Sequence, residues 1–258
     1  MSADLIARGL ALQARPVAVP AMSLAAVGIP AGVEQVHTSG YAAAGQGAGT
    51  YVEDSKATAA LASAHPRFCK TDGRGRHFRL VPDAQGFIAV EQGGAVGDGV
   101  TNDRPAIQAT IDYAKAVGIW RIAFLSPSYA VWMPTIGGDP VDASDPAGCA
   151  MAVLAGMHLE GATPATMITL KGYAGGALET QTQSTPSFAV WRGAAIIVVG
   201  GTISPYAPAA YGVLGFSMRN LIVDGGAVLA PGFGHVDLTH KGLRIQDTVV
   251  GKVVLEIS

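Results

Sequence analysis

The stretch Gly94-Ala95-Val96-Gly97-Asp98-Gly99-Val100-Thr101-Asn102-Asp103-Arg104-Pro105-Ala106-Ile107-Gln108-Ala109-Thr110-Ile111-Asp112-Tyr113-Ala114 decides how the rest of the chain is read. Gly97 and Gly99 flank Asp98, which suits a tight turn with positive φ. Asn102 or Asp103 can accept the first free amide protons of a helix, and Pro105 falls in the first turn, where a missing N–H costs little. Ile107, Thr110, Ile111, Ala114 and Val117 recur at helical spacing on one face, and Gly118 can end the helix. The stretch therefore predicts a glycine-rich turn feeding one helix with a single buried stripe. The chain beyond Gly118 is largely strand-like to its end, so the helix is placed to act as a lid on a β structure.

Residues 94–114 resemble the opening signature of the pectate-lyase-like right-handed parallel β-helix superfamily, G-A-x-G-D-G-x-T-D-D-T-x-A-I-Q-x-A-I-D-x-A. Three positions depart from it: Asn102 stands for the first Asp, Arg104 for Thr and Thr110 for Ala. The resemblance implies an all-β solenoid plugged at its N-terminal end by the helix. It gives Gly97, Asp98, Gly99, Asn102, Asp103, Ile107 and Ile111 structural roles in that cap. A Ca²⁺ loop built from Asp98, Asn102 and Asp103 is disfavoured, because the later bidentate Glu of an EF-hand is missing.

Composition agrees with stacked short strands. Of 258 residues 34 are Gly, only 14% are charged and 7% aromatic, a balance that fits tight turns better than helical bundles or disorder. A net charge of −2 argues against a nucleic-acid partner, which would call for a basic stripe. Cys69 and Cys149 lie too far apart for a metal-ligand pair and are too few for a disulfide framework, so they read as independent buried or half-buried thiols. No apolar run is long enough to span a bilayer, and Val17 to Ile29, interrupted by Pro20, makes a poor signal-peptide core.

The chain divides into three parts. Residues 1–20 read as an N-terminal arm in which Ala3 to Ala14 can form a short helix. Residues 21–91 read as a small β module for particle attachment or oligomerisation. In it Val33–Thr38 is a strand, Gly40–Tyr51 a flexible glycine-spaced loop, and Arg67–Leu80 a hairpin turning at Asp72-Gly73. Its order of segments (IPAGV, GYAAAGQGAGTY, TDGRGRHF) resembles the module that precedes the coil in phage tail-spike and prophage appendage proteins.

Residues 92–258 read as the capping helix and first coils. Arg121–Val131, Gly156–Leu170, Ala195–Val199, Gly215–Gly226, Gly242–Asp247 and Val253–Ile257 are short apolar strands broken by Gly, Pro, Asp and Asn. Equivalent strands are expected roughly twenty to thirty residues apart, as a solenoid allows. Asn220 is expected at a coil corner, in an internal amide ladder. The last strand, ending at Ser258, carries no visible cap, from which the chain is expected to continue or to be covered by a partner.

Chemistry is far less legible. Superfamily members are mostly polysaccharide lyases, glycoside hydrolases or epimerases, so the resemblance implies two carboxylates, or a base with a charge-neutralising group near a uronate. Asp224 has the best place for a groove carboxylate, although a turn Asp capping its own backbone fits the same pattern. His240 and Arg244 are candidates to contact an anionic sugar. Trp132, Trp191, Tyr206 and Tyr211 lie in or beside loops and could stack on sugar rings or pack on the coil flank. His158 alternates with Met157 and Leu159, so it faces away from the core or is a satisfied corner histidine. No cofactor or metal constellation is expected.

These readings point to the N-terminal part of a phage tail-spike-like homotrimer, on a virion or extracellular. Its expected partners are a bacterial surface polysaccharide, which it binds and depolymerises, and tail or baseplate proteins. The alternatives are a monomeric pectinase-like lyase or hydrolase and a non-catalytic virion or tail-particle adaptor.

Overall fold

The computed structural model describes residues 19–54, 59–133, 149–153, 156–173, 195–199, 216–224 and 241–245. After a 3-10 turn at Ala21–Ala26 come β1 (Gln35–His37), β2 (Thr50–Glu53), α1 (Ala59–Ala64), β3 (Cys69–Thr71), β4 (His77–Val81) and β5 (Phe87–Ala89). The signature supplies β6 (Asp98–Asn102) and α2 (Arg104–Ala116), succeeded by β7 (Arg121–Phe124) and β8 (Ser128–Met133). The remaining strands are β9 (Cys149–Val153), β10 (His158–Gly161), β11 (Thr166–Tyr173), β12 (Ala195–Val199), β13 (Ser217–Arg219), β14 (Leu221–Asp224) and β15 (Lys241–Ile245). The described chain is thus mostly strand, and none of its helices is long and apolar enough to cross a membrane. The expected arm helix and the strand at Val253–Ile257 lie outside the described residues.

Two compact units divide the chain: residues 1–96 with 105–125, and residues 97–104 with 126–258. In the first, β1, β2, β4 and β3 form an antiparallel sheet in that order. Strand alternation sends Val36, Tyr51 and Leu80, neighbours in register, to one buried face, while Gln35 and His37 are exposed. That face joins Leu24, Ile29, Phe68, Phe78 and Ile88 in one core, to which α2 contributes Tyr113. The Tyr113 ring stacks on Phe68 with centroids 4.6 Å apart, and its hydroxyl donates to the Leu80 carbonyl at 2.6 Å. Hence α2 buries Ala106, Ile107, Thr110, Ile111, Tyr113 and Ala114, an arc of about 160° at 100° per residue, wider than the single stripe expected.

Long-range polar ties fix the same unit. Arg76 forms a two-point ion pair with Glu53 and donates to the carbonyls of Pro30 at 2.9 Å and Val33 at 2.7 Å. Asp72, 4% exposed at the β3–β4 turn, accepts from the backbone N–H groups of Arg74, Arg76 and Ile29. Burial alone would raise its carboxyl, but these donors hold it below the ordinary range.

The Gly40–Tyr51 loop is not the flexible connector expected from its glycines. Gln46 Nε2 donates to the carbonyls of Ala95 and Val96, and Gln92 Nε2 donates to that of Ala48. Gly47, at φ 67°, is so close to the Glu91 carbonyl that a Cβ would sit 2.1 Å from its oxygen. Glycine here permits docking rather than movement.

The second unit is built from parallel strands. β6, β8, β11 and β14 form one sheet, β9, β12 and β15 another, and β10 pairs with β13. From β8 onward the chain visits these three sheets in one repeating order. Tyr129 lies opposite Ile168, and Val131 opposite Leu170; all four are buried in column, as stacked strands require. Equivalent strands are more widely spaced than expected: Ser128 to Met167 is 39 residues and Met167 to Ile222 is 55.

Asn220 is exposed and adopts φ 53°, so it does not join the buried ladder expected of it. Its value is conformational, since Asn tolerates the left-handed region that turns the chain between β13 and β14. The Asn220 carbonyl stacks against Gly161, where a Cβ would be only 1.9 Å from its oxygen.

Candidate functional site

The glycine-rich turn spends its polar groups on its own backbone. Asp98 accepts from the N–H of Val100 at 2.8 Å and of Thr101 at 2.6 Å, and from the Thr101 hydroxyl at 2.7 Å. Those donors, the Thr101 amide foremost, hold its exposed carboxyl below the usual range. Gly97 (φ 66°) and Gly99 (φ 70°) take the positive φ that the sequence requires, and the Gly97 N–H donates to the buried Asp103 carboxylate at 3.0 Å. Asn102 Oδ1 accepts from Arg104 N, the first amide of α2, at 3.2 Å in an Asx turn, and from Trp132 N at 3.4 Å. Ile107 and Ile111 are fully buried. No group of three or more His, Cys, Asp or Glu among the described residues could hold a metal ion.

Candidates for chemistry fall on two sheet faces. On the first, Asn102, Ala130, Thr169 and Asp224 occupy one row across β6, β8, β11 and β14. Asp224 is half-buried at the end of its strand; Trp132, also half-buried, lies two residues beyond Ala130 and opposite Gly172, past a bulge in β11. At about 4.8 Å per strand, Asp224 and the β8 position are roughly 10 Å apart across the sheet. That row carries one carboxylate, and its neighbour Thr169 is an alcohol. Arg244 lies in β15, opposite Val198 of β12. Trp191, Tyr206, Tyr211 and His240 lie outside the described residues.

The second face was not singled out from the sequence as a whole. On β10 and β13, His158 lies opposite Ser217 and Glu160 opposite Arg219. Met157 and Leu159 are buried, so alternation turns His158 and Glu160 outward, the first of the two outcomes expected for His158. His158 Nδ1 shares a hydrogen bond with Ser217 Oγ. Only the alternation in Met157–Glu160 was readable; the pairing with Ser217 and Arg219 spans 59 residues of sequence and leaves no local pattern.

No protein-family model and no curated protein matches this chain. Among solved structures, the chain is similar to the tailspike protein of Acinetobacter baumannii phage AM24, with a TM-score of 0.39 and 12% sequence identity. The similarity covers 83% of this chain and 30% of that one, so this chain spans less than a third of the tailspike's length.

Proposed function

We propose that the second unit is the start of a right-handed parallel β-helix, and that the chain is the N-terminal part of a trimeric, tail-spike-like protein that binds and depolymerises a bacterial surface polysaccharide. The carrying observation is the repeating order in which the chain visits three parallel sheets, directly after the glycine-turn-and-helix signature. A stack of this kind offers long outward faces on which a polymer can lie across successive strands. The densely tied first unit is then the attachment module, and a virion tail or an extracellular site is its setting.

The test is to express the complete coding sequence and assay purified protein on a panel of encapsulated bacteria and their isolated capsules. Release of reducing ends indicates hydrolysis, and unsaturated uronate absorbance indicates elimination. Neither product on any capsule, from a protein that light scattering shows to be monomeric, overturns the reading. One observation favours a non-catalytic adaptor as the second reading: the Asn102–Asp224 row carries a single carboxylate, whereas glycoside hydrolysis ordinarily uses two. A trimer that binds capsule without shortening it would decide for the adaptor.

A further inference from the structure

We infer that His158, Glu160, Ser217 and Arg219 form a sugar-contact site on the outer face of β10 and β13, selective for neutral, hydroxyl-rich pyranose units; this rests on the glycan-binding reading above. The four side chains form a two-by-two array. His158 and Ser217 occupy one row, Glu160 and Arg219 the next, on adjacent parallel strands about 4.8 Å apart. His158 and Arg219 are exposed, and Glu160 and Ser217 are half-exposed.

The second row is the informative one. Glu160 and Arg219 carry opposite charges at directly opposed positions, yet no ion pair joins them among the described residues. By contrast, Arg76–Glu53 and Arg79–Asp54 in the first unit close into ion pairs. A guanidinium and a carboxylate side by side but apart present donors and acceptors to one ligand at once. Adjacent hydroxyls of a pyranose donate to the carboxylate and accept from the guanidinium, both charge-assisted bonds. The His158–Ser217 pair supplies a further donor and acceptor one row along.

Backbone geometry keeps the row in place. Gly161 comes after Glu160, Asn220 after Arg219, and the close stacking of the Asn220 carbonyl on Gly161 fixes both strand ends in register. The charges also set selectivity. A sugar carboxylate drawn to Arg219 is repelled to a similar degree by Glu160, so the array gains little from a uronate. Each contact is solvent-exposed and weak, so useful affinity comes from repetition along a polymer.

The test is binding of the full-chain protein to a printed array of bacterial capsular and O-antigen polysaccharides, neutral and acidic. Wild type is expected to mark neutral glycans, with less than a twofold change between 0.15 M and 0.5 M salt. Arg219→Gln and Glu160→Gln should each lower that signal at least tenfold, with melting temperatures unchanged. Unaltered binding by both variants overturns the site while leaving the glycan-binding reading intact. Binding only to acidic glycans, weakened by salt, overturns the selectivity, and binding to no glycan overturns both readings.

Discussion

The two units keep their shape by different means. In the first, side chains reach across tens of residues to backbone groups: Arg76 to Pro30 and Val33, Asp72 to Ile29, Tyr113 to Leu80, Gln46 to Ala95. In the second, register between parallel strands carries the order, and the inward columns are filled by Tyr129, Ile168, Val131 and Leu170. A unit held by specific long-range contacts should respond sharply to single substitutions. A unit held by repeated rungs should respond locally and moderately.

The largest expected effect lies in the first unit. Tyr113→Ala removes a fully buried ring stacked on Phe68 and should cost about 3–5 kcal/mol in urea unfolding, whereas Tyr113→Phe, which keeps the ring and loses the hydroxyl's bond to Leu80, should cost about 1 kcal/mol. Equal costs for the two would show that the ring contributes little. Next comes Gly47→Ala, expected to cost about 2–4 kcal/mol from left-handed strain plus the clash with the Glu91 carbonyl. Gly45→Ala, also at positive φ but with nothing within 4 Å, should cost about 1 kcal/mol. If the two alanine variants melt alike, the loop is not docked.

In the second unit, Gly161→Ala should cost about 1–3 kcal/mol, with faster amide exchange confined to the β10 and β13 corners. Loss of protection throughout the unit would erase the contrast between the units. Acid should act chiefly on the first unit. Hydrogen bonding from Arg76 lowers the Glu53 carboxyl, and the backbone donors lower that of Asp72 despite its burial. Both folded pKa values lie below the unfolded ones, so this stabilisation is fully present above the ordinary carboxylate range and is lost as pH falls from that range through the lowered folded values. Melting temperatures measured from pH 7 down to pH 3 should fall, and Asp72→Asn should flatten that slope. The smallest effect is expected for Ile222→Thr, at a side chain 47% exposed, which should stay within about 0.5 kcal/mol.

These contrasts explain what the sequence could and could not reveal. The helix of Arg104–Ala116, the strands after it and the turn beyond Thr71 each leave a local pattern: apolar spacing, alternation, or an Asp-Gly pair. Tyr113 was missed as a core residue because its partners, Phe68 and Leu80, lie 45 and 33 residues away. The glycines of Gly40–Tyr51 suggested freedom because the same residue serves a mobile loop and a close backbone approach; only the position of the Glu91 carbonyl distinguishes them. Asn220 misled for a related reason, since its tolerance of positive φ leaves no trace that separates it from a buried ladder amide. Of the candidate site, Asp224 and Trp132 are legible only as single residues. The rows that join residues across strands depend on register, which alternation in one strand cannot supply.

The spacing between rungs carries a consequence for variation. Ala195 lies 46 residues after Cys149 and 46 before Lys241, whereas the intervals between β8, β11 and β14 are unequal. The described strands, three to eight residues long, bear the register, and the sequence intervals between equivalent strands are several times longer. Insertions and deletions outside the paired strands would change those intervals while leaving the register between the strands untouched. Change in length between equivalent strands is thus open to this chain as a route of variation beside point substitution.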